Sequence, residues 1–166
     1  VTFVNIDERD DNLIKYICAA LVVCGKYYLS KNLNSRALEL FAKAGATGTG
    51  RVKVLREIVQ ALIDSKMLKD AKIFLEKFPP ESQIEQDYLI LKFLILNADG
   101  NLSALIAEGR ELIRKGVADE RVYSVMIERS VQARLMSSVE QLLHDACSRF
   151  PEKKDHFQAM AKLEAA

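Results

Sequence analysis

Glycines at positions 45 and 50, followed by Arg51, have the spacing of a phosphate-binding loop. Such a loop cradles phosphates with backbone N–H groups, follows a strand, and continues with a lysine and a hydroxyl residue. Here arginine and Val52 replace those two residues, and the preceding segment ALELFAKA has a helical pattern. We therefore predict an inter-helical loop and no nucleotide site, with Gly45 as the left-handed residue that ends a helix.

Metal binding and catalysis require clusters of polar side chains that this sequence does not offer. His144 and Cys147 lie three residues apart on one predicted helix face, and Cys18 or Cys24 could complete a metal site with them. No close pair of cysteines or histidines completes the set, and no base accompanies a nucleophile. We predict no catalytic residue, no metal and no cofactor, and therefore a protein that is not an enzyme.

Composition favours a soluble all-α protein. The chain has 166 residues, of which 49% are hydrophobic and 28% charged, but only 7 glycines and 3 prolines. The formal net charge of +1 argues against nucleic acid and anionic membrane surfaces as partners. Three cysteines with apolar neighbours indicate reduced, buried thiols, and the apolar run from Ile17 to Gly25 is too short to span a membrane. A cytoplasmic, intracellular location is the expectation.

An internal repeat of 34 residues runs through the sequence. Steps of this length from Ala37 reach Ala71, Leu105 and Val139. The same steps from Leu21, Tyr28, Phe41 and Ala44 give columns that are mostly small or apolar, with Gly109 and Ser130 as the weak members. Self-similarity at such a period is typical of stacked helical hairpins, which bury a shared core only when neighbours pack together.

Each repeat is interpreted as two helices separated by a short break. The breaks are predicted at residues 66–69, 97–101 and 135–138, and Ser137 or Ser138 is the expected N-cap of the helix that follows. The acidic residues near the start indicate a polar segment before the first helix. The tail forms one more amphipathic helix, with Phe157 and Met160 on its inner face.

Gly25, Tyr28, Ala37, Phe41 and Ala44 resemble the signature positions of the tetratricopeptide repeat family. The resemblance implies an all-α, right-handed α-α superhelix of about four hairpins with a C-terminal capping helix. The implied organisation is an N-terminal polar lead-in over residues 1–10, a repeat array over residues 11–151 and the capping helix over residues 152–166. The third and fourth repeats depart from the pattern, since Lys92 and Phe93 replace a Leu-Gly pair and Val139 replaces an alanine.

The resemblance also implies a non-catalytic scaffold, adaptor or chaperone-like module that binds a protein segment in a concave groove. The partner would be another protein or peptide, or a subunit of a larger complex, with no membrane contact. A chaperone-tail clamp is disfavoured, because Glu57 and Asp87 fall where the clamp needs asparagines. The groove positions implied by the resemblance are Val22, Lys26, Leu29, Arg56, Gln60, Ile63, Ile90, Leu94, Arg121, Ser124 and Glu128.

Two alternatives remain open. Pentatricopeptide repeats are also helical hairpins, and they bind RNA by reading one base per repeat. Their base-reading positions would lie near Cys24, Ile58, Lys92 and Met126, of which three cannot form a useful hydrogen bond to a base. The other alternative is a self-associating subunit whose ligand is a second chain of the same complex.

Overall fold

The computed structural model describes residues 6–46, 51–117 and 119–163, except the side chains of residues 6–10, 160, 161 and 163. These residues form nine α-helices and two short 3₁₀ helices and include no β-strand, so the described chain is all-α. The 3₁₀ helices are Pro80–Ile84 and Pro151–Lys153. The α-helices are α1 (Ile6–Ser30), α2 (Asn34–Gly45), α3 (Arg51–Asp64), α4 (Leu68–Leu75), α5 (Gln86–Asp99), α6 (Leu102–Arg114), α7 (Glu120–Gln132), α8 (Met136–Arg149) and α9 (Lys154–Leu163).

The chain forms two compact units, Val1–Leu91 and Lys92–Ala166, and their boundary lies within α5. In the first unit, α1 packs against α2, α3 packs against α4, and α3 also contacts both α1 and α2. In the second unit, α7 packs against α6, α8 and α9. Residues 6–10, which we expected in a polar lead-in, belong to α1 instead, and residues 1–5 lie outside the described part of the chain.

The turns between helices repeat in the backbone every 34 residues. Asn32, Lys66, Gly100 and Arg134 have positive φ angles of 57°, 59°, 79° and 56°, while Gly116 also has a positive φ outside this series. Each of the four donates its N–H to the carbonyl three residues earlier, at 2.8–3.3 Å. Glycine adopts this conformation without steric cost, so Gly100 has the least strained turn. The recurrence confirms the predicted period.

Burial follows the same period. The column that begins at Ala37 continues through Ala71, Leu105 and Val139, and all four side chains are buried. The column that begins at Ala44 is buried at every position as well, through Phe78, Leu112 and Ala146. Equivalent positions in the four repeats therefore belong to the interior, as shared cores between packed helices require.

Close helix packing in the first unit depends on Gly25. A Cβ atom at this position would lie 2.3 Å from a ring carbon of Phe41, whose side chain is completely buried. The Phe41 ring in turn packs edge-on against Phe74, with centroids 6.4 Å apart. The absence of a side chain at Gly25 thus makes the room that the Phe41 ring occupies between α1 and α2.

The core of the second unit closes on the C-terminal helix. Phe157 of α9 is completely buried, together with Tyr123 and Ile127 of α7. Phe150 packs against both rings, with centroids 5.8 Å from Tyr123 and 6.2 Å from Phe157. The prediction that Phe157 faces inward is confirmed, whereas the side chain of Met160 lies outside the described residues.

Three local predictions are wrong. Helix α8 already begins at Met136, so Ser137 and Ser138 lie in its first turn and do not cap it. Gly45 is the last residue of α2 and lacks a positive φ, because the helix continues as far as this residue before Ala46. Cys24 is exposed on α1, where its neighbours in sequence point to other sides of the helix.

Candidate functional site

Helix α1 carries five large apolar side chains that remain 49–75% exposed. They recur at intervals of three to six residues along one side of the helix, with Ala20 and Cys24 also exposed on that side. Exposed apolar patches of several hundred Å² mark interaction sites more often than ordinary surface. We call these five residues the α1 stripe: Leu13, Tyr16, Ile17, Val23 and Tyr27.

A second apolar face of α1 holds the helix in the first unit. Cys18, Val22, Gly25 and Leu29 are buried and follow each other at intervals of three or four residues, as one helix face does. Because α1 is apolar on two faces, hydrophobic periodicity could not show which face packs and which stays accessible. The α1 stripe was missed in the sequence for this reason.

The α1 helix also meets a simple criterion for a membrane span. Over Asp11–Ser30 its mean hydropathy reaches 1.4 in a window of which 22% is buried. Core helices of soluble proteins and signal sequences near an N-terminus meet the same criterion. The apolar stretch is longer than the run from Ile17 to Gly25 that the sequence drew attention to, although it includes Lys15 and Lys26.

Three of the predicted groove positions are core residues. Val22, Leu29 and Ile90 are 1%, 8% and 1% exposed. A ligand on an open surface cannot contact side chains that are already buried by neighbouring helices, so the groove assignment is wrong for these three. Their apolar character reflects packing within the first unit.

The polar groove positions of the first unit form a row of ion pairs. Lys26 of α1 contacts Glu57 of α3 at 3.1 Å, and Arg56 of α3 contacts Asp87 of α5. Both pairs join residues 31 positions apart in sequence. Since each pair is substantially exposed, it adds only about 0.2–1 kcal/mol to stability. The pairing also neutralises the charges that a ligand would otherwise meet.

The remaining groove positions are at least half-buried or engaged with neighbours. In the first unit, Gln60 donates to Asp64 at 2.8 Å, and Ile63 is half-buried. In the second unit, Leu94 and Ser124 are half-buried and Glu128 accepts a hydrogen bond from Gln132. Arg121 is exposed, but its guanidinium binds Asp119, whose carboxylate also caps α7 by accepting the Arg121 N–H.

A cleft of about 420 Å³ lies in the second unit between α6, α7 and α8. Its walls combine apolar side chains such as Ile113 with Arg110, Asp145 and Ser130. The buried Ser130 hydroxyl has no hydrogen-bond partner among the described residues. Both charged groups already have partners, since Arg110 donates to Ser138 at 3.0 Å and Asp145 accepts from two donors.

A hydrogen-bonded network joins α7 to α8 beside this cleft. The Tyr123 hydroxyl donates to one oxygen of the Asp145 carboxylate, and Arg149 donates to the other at 3.0 Å. Burial and the bond to this carboxylate raise the pKa of Tyr123 above its ordinary value. Burial alone would raise the pKa of Asp145, but the hydrogen bonds from Tyr123 and Arg149 outweigh it, so this pKa is lowered.

This network predicts a loss of stability in acid. Because the pKa of Asp145 is lower in the folded chain, its contribution is present above the unfolded value of about 3.9 and is lost as pH falls through the folded value. We expect Asp145→Asn to flatten the pH dependence of unfolding below about pH 4. Tyr123→Phe should cost about 1 kcal/mol at pH 7 by removing one hydrogen bond.

Urea unfolding at pH 7 and near pH 3, followed by circular dichroism, measures both effects. Glu111→Gln is the comparison, since the hydrogen bond from Arg114 lowers the pKa of Glu111 to about 2 through a separate, exposed pair. Equal acid sensitivity of the wild type and Asp145→Asn would contradict the assignment to this network.

Among the described residues there is no group of three or more histidine, cysteine, aspartate or glutamate side chains that could hold a metal ion. The α1 stripe is therefore the surface with the clearest capacity to bind something, through apolar contact with another macromolecule. No protein-family model, curated protein or solved structure matches this chain.

Proposed function

We propose that the chain is a non-catalytic protein-binding module of four tetratricopeptide-like hairpins, stacked as a right-handed superhelix and closed by α9. The observation that carries the proposal is the α1 stripe, a row of exposed apolar side chains on a helix that is anchored by its opposite face. The 34-residue recurrence of the turns supports the hairpin architecture. The role that follows is that of a scaffold or adaptor in the cytoplasm.

The surface proposed for binding differs from the groove that the resemblance implies. Lys26 and Arg56, the two cations of that groove in the first unit, are already paired with acidic residues. The α1 stripe offers apolar side chains without such internal partners in their exposed parts. Apolar anchors of this kind suit the face of an amphipathic helix, which presents side chains at the same three- and four-residue spacing.

RNA binding is the weaker candidate. Ile58 and Met126, two of the four positions that a base-reading repeat would use, are completely or almost completely buried. Buried aliphatic side chains cannot stack on a base or reach its edge. Salt-sensitive retardation of single-stranded RNA in a gel would reverse this preference.

Site-specific photo-crosslinking tests the proposed function. The probe is p-benzoylphenylalanine placed at Tyr16 of the full chain in its own host cells, and the control carries it at Ile73 of α4, which is exposed away from the stripe. We expect discrete cross-linked protein bands from position 16 that fall at least tenfold when Val23→Glu is added. Identical bands from position 73, or none from position 16, would reject the proposal.

A further inference from the structure

The spacing of the α1 stripe fits one helix packed along another. Leu13, Tyr16, Ala20, Val23 and Tyr27 alternate in steps of three and four residues, which is the seam of a two-helix coiled coil. A seam of this spacing keeps its residues on one line as two helices supercoil. The occupant that matches the stripe in shape is therefore another α-helix.

The 34-residue repeat points the same way. The positions on α3 that correspond to Cys24 and Tyr27 are Ile58 and Ala61, and both are buried. Helix α3 contacts α1 and α2, so the equivalent face in the second hairpin is covered by helices of the preceding hairpin. The face that carries the α1 stripe thus has the location at which this fold places a helix.

We propose that the occupant is the α1 helix of a second copy of this chain, in antiparallel orientation. This inference rests on the proposed function and names the partner of the same surface. In an antiparallel seam, the residues at the first core position of each heptad face those at the fourth position of the other helix. This register places Tyr16 opposite Tyr27 of the second copy, and Ala20 opposite Val23.

The layers of this register complement one another. The two central layers pair a small residue with a medium one, which lets the helices approach closely. Each outer layer pairs two tyrosines, which pack well as offset or edge-on rings with their hydroxyls at the wet rim. Because a two-fold axis relates the copies, every contact occurs twice.

Charge selects the antiparallel orientation. The stripe is preceded by an acidic segment that ends at Asp11 and is followed by Lys31, which lies 5.7 Å above the Tyr27 ring. Antiparallel helices bring the Lys31 end of one copy beside the Asp11 end of the other. A parallel pair would place the acidic ends together, which is unfavourable.

The area is sufficient for a weak dimer. Each half-exposed large side chain offers roughly 100 Å², so the five residues of the stripe provide about 500 Å² per copy. Two copies together bury about 1,000 Å², the lower limit for a specific interface. We therefore expect reversible dimerisation in the micromolar range.

Sedimentation equilibrium of the full chain from about 5 to 500 μM measures this association. We expect the average mass to rise from the monomer value of 18.7 kDa towards twice that value. Val23→Glu should raise the dissociation constant at least tenfold, while the matched surface variant Ile73→Glu should leave it unchanged. A monomeric mass at every concentration, or equal dissociation constants for the two variants, would overturn the proposal.

Disulfide trapping tests the orientation. In a Cys24→Ser background, chains with Tyr16→Cys are mixed with larger, tagged chains carrying Tyr27→Cys and then oxidised. The antiparallel register predicts the mixed dimer, because positions 16 of the two copies lie about 16 Å apart along the helices and cannot form a disulfide. Disulfide dimers of each variant alone, without the mixed species, would overturn it.

Membrane binding is the competing outcome, and sedimentation with phosphatidylcholine vesicles detects it. A monomer that sediments with vesicles through the same stripe would overturn the dimer. The photo-crosslinking result separates the two levels of inference. A chain that stays monomeric while position 16 still cross-links another protein loses the self-pairing but retains the proposed function.

Discussion

We expect Phe157→Ala to lower the free energy of unfolding by about 3–5 kcal/mol, the range found when a buried aromatic side chain is removed. Phe157 is completely buried among residues of α7 and α8, and its ring packs against Phe150. Its removal leaves a cavity beneath α9 that the other helices can fill only in part. The core of the second unit should therefore lose a large share of its stability.

His156→Ala is the matched control for this variant. His156 is the neighbouring residue on α9 but its side chain is exposed, so its replacement should change stability by less than about 0.5 kcal/mol. Urea unfolding followed by circular dichroism gives both values. Similar losses for the two variants would mean that α9 is anchored by something other than the buried ring.

We expect the second large effect at the contact between Gly25 and Phe41. Phe41→Ala should cost about 3–5 kcal/mol, because the ring is completely buried between α1, α2 and α4. Gly25→Ala should cost about 1–3 kcal/mol, since the added methyl group overlaps the ring and displaces it from a packed core. This loss exceeds the gain of about 1 kcal/mol that alanine brings to a helix interior.

Combining the two substitutions reverses the sign of the Gly25 effect. Once Phe41 is alanine, the ring no longer occupies the space, so Gly25→Ala should stabilise the chain by up to about 1 kcal/mol through helix propensity alone. A double-mutant cycle measured by urea unfolding isolates this coupling. Additive losses in the double variant would show that the ring does not depend on the missing side chain.

The repeat was visible in the sequence because it is carried by local rules. Small and apolar residues at a fixed interval fold into equivalent helices, and the interval survives even where the residues differ, as at Gly100 and Arg134. The inward face of α9 was also predictable, because Phe157 lies in an otherwise polar segment. One apolar face on a short helix leaves a single way to pack.

The binding surface could not be predicted in the same way. Helix α1 is apolar on two sides, and only the position of α2 and α3 decides that Val22 is buried while Val23 is exposed. The groove positions were transferred from a family pattern, and burial removes Leu29 and Ile90 from them. A helix cap also escaped prediction, because where α8 begins depends on the left-handed turn at Arg134 and not on the serines that follow.

The recurring left-handed turn makes the chain divisible into interchangeable modules. A gene segment that encodes 34 residues and starts at any one of these turns ends at backbone of the same conformation. Duplicating or deleting such a segment would join equivalent geometry to equivalent geometry, whereas another length would rotate the following helix away from its neighbours. The protein can therefore change length by recombination in whole hairpins, while its two different ends, α1 and α9, keep their separate roles.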